Sequence, residues 1–137
     1  MEATEIPLAG RCKVATRAII AIYNEKGDEF CTIYQHWDGG PDSLGKQLEE
    51  FLQDRIITEG IPYGHDLHKI ANGMYDLAAQ IVSYLKYDSP VGNVYIYPVG
   101  RRNVCESFIY HVKFRGYNKP VELEVEAVHE GQRRRLM

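Results

Sequence analysis

No stretch of this chain approaches the ~20 consecutive apolar residues that a membrane-spanning helix needs. Its start, Met1-Glu2-Ala3-Thr4-Glu5, lacks the basic opening and apolar block of a secretory signal. A cytosolic protein with no membrane partner is the expectation. An excess of one charge is also missing: 16 Lys and Arg face 19 Asp and Glu, a formal charge of -3, so nothing draws the whole chain toward DNA or an anionic surface. Cysteine is sparse. Cys12, Cys31 and Cys105 are odd in number and form no Cys-x-x-Cys pair, which favours thiols over a disulfide framework or a structural zinc site. Internal repeats, low-complexity blocks, interdomain linkers and phosphate-cradling glycine motifs are absent as well.

What is present suits one globular domain over 1–137, with a flexible arm over 1–10 and a basic tail over 129–137. At 137 residues, 45% of them apolar, the chain can build a core without metal or disulfide staples. Arg11 to Tyr23 reads as a strand, apolar on both faces toward its end, and Glu29 to His36 as its hairpin partner across the turn residues Asn24 to Asp28. Ser43 or Asp42 is placed to cap a helix running to about Arg55, with Leu44, Leu48, Phe51 and Leu52 on one face. Residues 56–64 read as an apolar, irregular connector. Asn72 then caps a second helix carrying Met74, Leu77, Ala78, Ile81 and Leu85. Strands follow at Asn93 to Pro98, Ser107 to Arg115 and Val121 to Val128, the last two opposing a basic face to Glu122, Glu124 and Glu126. The order ββααβββ predicts an α+β fold, an antiparallel sheet of about five strands with two helices packed on one face.

The chemistry collects at Tyr34-Gln35-His36-Trp37-Asp38-Gly39-Gly40-Pro41, where a strand stops and a helix begins. Gly39, Gly40 and Pro41 demand a tight loop there. Tyr34, His36, Trp37 and Asp38 bring aromatic faces, an imidazole and a carboxylate to it, although a lone Trp37 at a strand end serves equally as a core or interface anchor. Tyr95 and Tyr97 share a strand face, either packed under the helices or open as stacking surfaces for a purine. Arg101 and Arg102 can fork onto phosphate, or simply bind water. Arg17, on a strand face, and Arg55, near a helix end, are further cationic candidates. His36, Asp38, His65, Asp66 and His68 are metal-ligand types, but their spacing matches no zinc signature and exposed loop residues explain them. No metal and no cofactor are expected.

The ordered set Tyr34 to Pro41 with Leu44-Gly45, Lys69-Ile70-Ala71-Asn72-Gly73-Met74 with Leu77-Ala78-Ala79-Gln80, and Asn93-Val94-Tyr95-Ile96-Tyr97-Pro98 resembles a family. The family is that of the small phage and prophage proteins that include the first-described Thoeris anti-defence sponges. The likeness covers about Ala15 to Tyr110. Gly40, where an aromatic is expected, and Tyr75-Asp76, where a smaller pair is expected, depart from the pattern. The resemblance implies a non-catalytic protein of the host cytoplasm that captures a cyclic ADP-ribose isomer, assembles as a homodimer or larger homo-oligomer, and in some relatives binds cyclic oligonucleotides at a separate basic site. Aromatics for adenine, arginines for pyrophosphate, and Asn93 or Asp38 for ribose hydroxyls are compatible with that ligand. The rival expectations are an inhibitor that docks on a host protein through Trp37, and a small nucleotide hydrolase.

Overall fold

The structure, a computed structural model, describes residues 15–64 and 66–128. The arm over 1–10, the tail over 129–137 and His65 lie outside the described residues. β1 (Arg17–Tyr23) and β2 (Glu29–Gln35) form the expected hairpin, Ile20 opposite Ile33. Its turn is held by Asn24, whose Oδ1 accepts from the backbone N–H of Lys26 and Asp28 at 2.9 and 3.0 Å, the local bonding that suits asparagine to turns.

The helical segment begins earlier than expected and without a side-chain cap. Pro41–Gly45 forms a π turn in which the Gly40 carbonyl accepts from the N–H groups of Ser43 and Gly45, both at 3.1 Å, and neither Asp42 nor Ser43 caps. α1 (Lys46–Leu52) continues it and stops short of Arg55. The connector is less irregular than its glycines suggest: β3 (Ile56–Thr58) pairs in parallel with β4 (Ile70–Asn72) as a separate ribbon. α2 (Gly73–Asp88) buries Met74, Leu77, Ala78, Ile81 and Leu85, as its periodicity predicts. Asn72 does not cap it through its side chain. That amide accepts instead from the Gly60 N–H at 2.8 Å, while Asp76 takes the Asn72 N–H and Glu25, from the β1–β2 turn, takes the Met74 N–H, each at 2.8 Å. A carboxylate from a distant turn thus satisfies an orphan donor at the positive end of α2.

β5 (Val94–Tyr97), β6 (Glu106–Lys113) and β7 (Glu122–Ala127) complete a five-stranded sheet in the order β5-β2-β1-β6-β7. The fold is α+β, and the sheet is antiparallel except at its centre, where β1 and β6 run parallel. The exception follows from the connection. Pro98 to Cys105 leaves β5 on one side of β1 and enters β6 on the other, both strands running in the direction of β1, so this segment has to return across the sheet. It does so on the face away from the helices: the Gly100 N–H donates to Thr32 Oγ1 at 2.8 Å and Val104 packs on Ile19, Ala21, Tyr34 and Ile109. Ala18, Ile20, Ile22 and Tyr110 point the other way, into the main core with Leu48, Leu77 and Ile81. Both faces of β1 are therefore buried. The basic and acidic faces of β6 and β7 meet as expected, Lys113 to Glu124 at 2.7 Å and His111 to Glu126 at 2.9 Å. Cys31 is a free thiol raised by burial, but Cys105 is disulfide-bonded, against the expectation of thiols throughout; such pairing depends on approach in space, which spacing along the chain does not encode.

The loop from Trp37 to Gly40 is sewn to the sheet by Gly39. Its N–H donates to the Thr16 carbonyl at 2.9 Å, and its carbonyl accepts from the buried Tyr110 hydroxyl at 2.7 Å. A Cβ at Gly39 would lie 2.7 Å from the Ala18 Cβ and 2.9 Å from the Thr16 carbonyl oxygen. Gly39→Ala is expected to destabilise the fold by about 1–3 kcal/mol through overpacking. Tyr110→Phe is expected to cost about 1–3 kcal/mol through the carbonyl it leaves unpaired. Urea melts should show each as a lower midpoint at unchanged slope; unchanged midpoints would mean that the loop is not fastened here.

Candidate functional site

On the sheet face away from the helices, cross-strand register lines up tyrosines. Tyr34 of β2 opposes Tyr95 of β5, and Thr32 opposes Tyr97. The Tyr34 and Tyr97 rings stack at 4.8 Å and 12°, and Tyr95 lies 6.0 Å from Tyr34 and 6.3 Å from Tyr97. Tyr34 is buried, whereas Tyr95 is 45% exposed, so Tyr34 backs the array and Tyr95 presents it. Past the end of β2, the Tyr34 hydroxyl is 2.7 Å from His36 Nδ1, and the His36 ring meets Trp37 edge-on at 4.6 Å. Trp37 is 48% exposed and is therefore not a core anchor. The aromatic run from Tyr97 to Trp37 is continuous.

Two cations border it. The Arg101 guanidinium lies 5.6 Å from the Tyr97 ring centre, within reach of a cation–π contact. Arg17 sits beside Tyr34: burial pushes that phenol up, and the Arg17 charge pulls partly back. Arg17 is half-buried, and its Nε has no hydrogen-bond partner among the described residues. Arg102 is spent differently. Its two terminal nitrogens donate to the Glu29 carboxylate at 2.8 and 3.2 Å, and one donates to the Arg101 carbonyl at 2.8 Å. This fixes the crossover loop to β2, so Arg102 holds Arg101 in place rather than standing open to a ligand.

Asn93 works as a clamp. Its backbone is left-handed at φ 65, its carbonyl accepts from the His36 N–H at 2.8 Å and its Oδ1 from the Trp37 N–H at 2.7 Å. Gln35, buried and not singled out from the sequence, donates to the carbonyls of Trp37 and Asp38 at 2.8 and 3.3 Å. Asp38 is exposed and turned elsewhere, toward a groove of about 510 Å³ between the junction and the helices whose walls include Asp42, Lys46, Glu50 and Asp88. Four carboxylates against one lysine make that groove hostile to an anion. Arg55 is not brought to the tyrosine face: it follows α1 on the helix side, stacked on Phe51 and bonded to Gln80.

Farther along the same sheet face, Tyr23, which sequence reading did not single out, extends the expected pairing of β6 with β7. The Tyr23 hydroxyl meets His111 Nδ1 at 2.7 Å, and His111 Nε2 meets Glu126 at 2.9 Å. Burial, then the Glu29 charge, raises the Tyr23 phenol. Among the described residues, no three His, Cys, Asp or Glu side chains gather as a metal site, and no helix is long and apolar enough to cross a membrane. The chain matches no family model, no curated protein and no solved structure.

Burial penalises the Glu29 charge, but hydrogen bonds from Arg102 and Thr32 outweigh it and hold the carboxyl below its ordinary value of 4.5. A carboxyl that titrates lower in the folded chain stabilises above the unfolded value and loses that contribution as pH falls through the folded one. Glu29→Gln is therefore expected to cost roughly 1.5–3 kcal/mol at pH 7, the scale of a hydrogen bond to a charged group, and progressively less as acid protonates the native glutamate. Urea melts of both proteins across the acid range check this; a gap independent of pH would remove the ion pair as its cause.

Proposed function

We propose that this protein is a non-catalytic binding module that captures a cyclic ADP-ribose-type nucleotide in the host cytoplasm and removes it from signalling, as an anti-defence sponge does. The observation that carries this is the unbroken aromatic run from Tyr97 through Tyr95 and Tyr34 to His36 and Trp37, bordered by Arg101 and Arg17. A purine ring gains about 1–3 kcal/mol from each aromatic partner it stacks on, and a guanidinium beside the stack forks onto pyrophosphate oxygens. The Gln35 and Asn93 bonds hold the loop before any ligand arrives, which lowers the ordering cost of binding. Sequestration needs no transition-state machinery. A second copy closing over this sheet face fits the expected homo-oligomer.

Exposed Trp37 favours a second reading, an inhibitor that docks on a host protein, since half-open tryptophans anchor interfaces. One experiment separates the two. The purified protein is incubated with glycocyclic ADP-ribose, washed, heat-denatured, and the supernatant analysed by mass spectrometry. Capture predicts release of the unaltered nucleotide, with affinity lowered about 5- to 100-fold by Tyr95→Ala or Arg101→Ala, the span of one lost stack or charged hydrogen bond. An altered nucleotide would instead mark an enzyme, and absence of nucleotide binding together with recovery of a host protein would mark an inhibitor.

A further inference from the structure

Arg55 takes no part in the tyrosine face, yet its setting is unusual for a surface cation. Its guanidinium lies 4.1 Å over the Phe51 ring, which itself stacks on Tyr84 at 4.5 Å and 27°. One terminal nitrogen donates to Gln80 Oε1 at 2.9 Å, and Gln80 is aimed by its own bond to the Ile70 carbonyl at 3.1 Å. The Nε is buried without a hydrogen-bond partner among the described residues. No carboxylate forms an ion pair with this side chain among those residues; Asp76 acts on it only through its field, and burial pulls the guanidinium below its ordinary range. A half-buried, immobilised cation with an unused donor costs stability unless something answers it.

The space in front of it has the matching form. A hollow of about 390 Å³ is walled by Phe51, Arg55, His68, Ser83, Tyr84 and Tyr87, and its lining holds no carboxylate. Glu50 and Asp54 line an adjoining hollow that Arg55 also borders, together with Lys69, and Asp76 is held off on the far side by its bond to the Gln80 amide at 3.3 Å. Aromatic walls, a hydroxyl and one fixed guanidinium are what a small ligand pocket assembles from, and a guanidinium selects a planar, two-oxygen head. We infer that this hollow between α1 and α2 is a second binding site, for a small aromatic anion whose ring lies against Phe51, Tyr84 and Tyr87 while its carboxylate or phosphate head meets Arg55. The site stands apart from the tyrosine face and does not rest on the function proposed above.

The arginine Nε–H signal of ¹⁵N-labelled protein reads this site directly. Benzoate and phenyl phosphate, titrated separately, are expected to move the Arg55 Nε–H and Gln80 amide signals saturably, and the tighter of the two identifies the head group; neutral benzyl alcohol is expected not to. Arg55→Met, which keeps the stem on Phe51, should weaken binding at least tenfold, and Ser83→Trp, which fills the hollow, should do the same should the first variant fail to fold. Tyr95→Ala should leave the probe-induced shifts of the Arg55 Nε–H signal as they are in the parent. The inference is overturned if neither anion shifts Arg55 saturably, if benzyl alcohol binds as well, if the folded variants at Arg55 or Ser83 retain full affinity, or if Tyr95→Ala loses those shifts.

Discussion

The buried hydroxyl of Tyr110, donated to the carbonyl of Gly39 at 2.7 Å, is the contact on which the candidate site depends. Burial drives that phenol up to about 12, so it stays protonated and remains a donor throughout the physiological range. It ties the centre of the sheet to the middle of a loop that would otherwise hang from the end of β2. With Gly39 fixed from below, Gln35 and Asn93 need only set the two residues before it, and Trp37 is presented outward on a braced backbone instead of collapsing onto the core. Glycine is required at that position because the approach leaves no room for a Cβ, not because the backbone is left-handed there.

How much of this could be read beforehand differs by kind of residue. Periodicity located the hairpin, the second helix and the β6–β7 pair, because each buries one face and alternation records burial directly. The capping residues were misassigned for a common reason. Asn72 and Ser43 stand where local capping would use them, but Glu25 reaches in from a distant turn and the Pro41 to Gly45 segment winds as a π turn, and both outcomes are settled by tertiary geometry. The parallel centre of the sheet was equally hidden, since strand direction relative to a non-consecutive neighbour leaves no trace in composition.

At the candidate site the split is similar. Tyr34, His36, Trp37, Tyr95 and Tyr97 share one surface because β2 and β5 are neighbours, which their shared parity allowed without requiring. Arg102 and Arg101 are adjacent and chemically identical, yet one is consumed by Glu29 and the other lies over an aromatic ring. Nothing in an Arg-Arg pair says which will be which. Arg55 is recognisable as a cation from its type alone; its place on the helix side is set by its stacking on Phe51 and its bond to Gln80.

The segment from Pro98 to Cys105 crosses the sheet as a strap, pinned at Thr32 and Glu29 and seated by Val104. Because it contributes both the cover over Ile19 and Ala21 and the side chain poised on Tyr97, a change in its length or sequence would reshape the border of the tyrosine face and unsettle the sheet beneath at the same time.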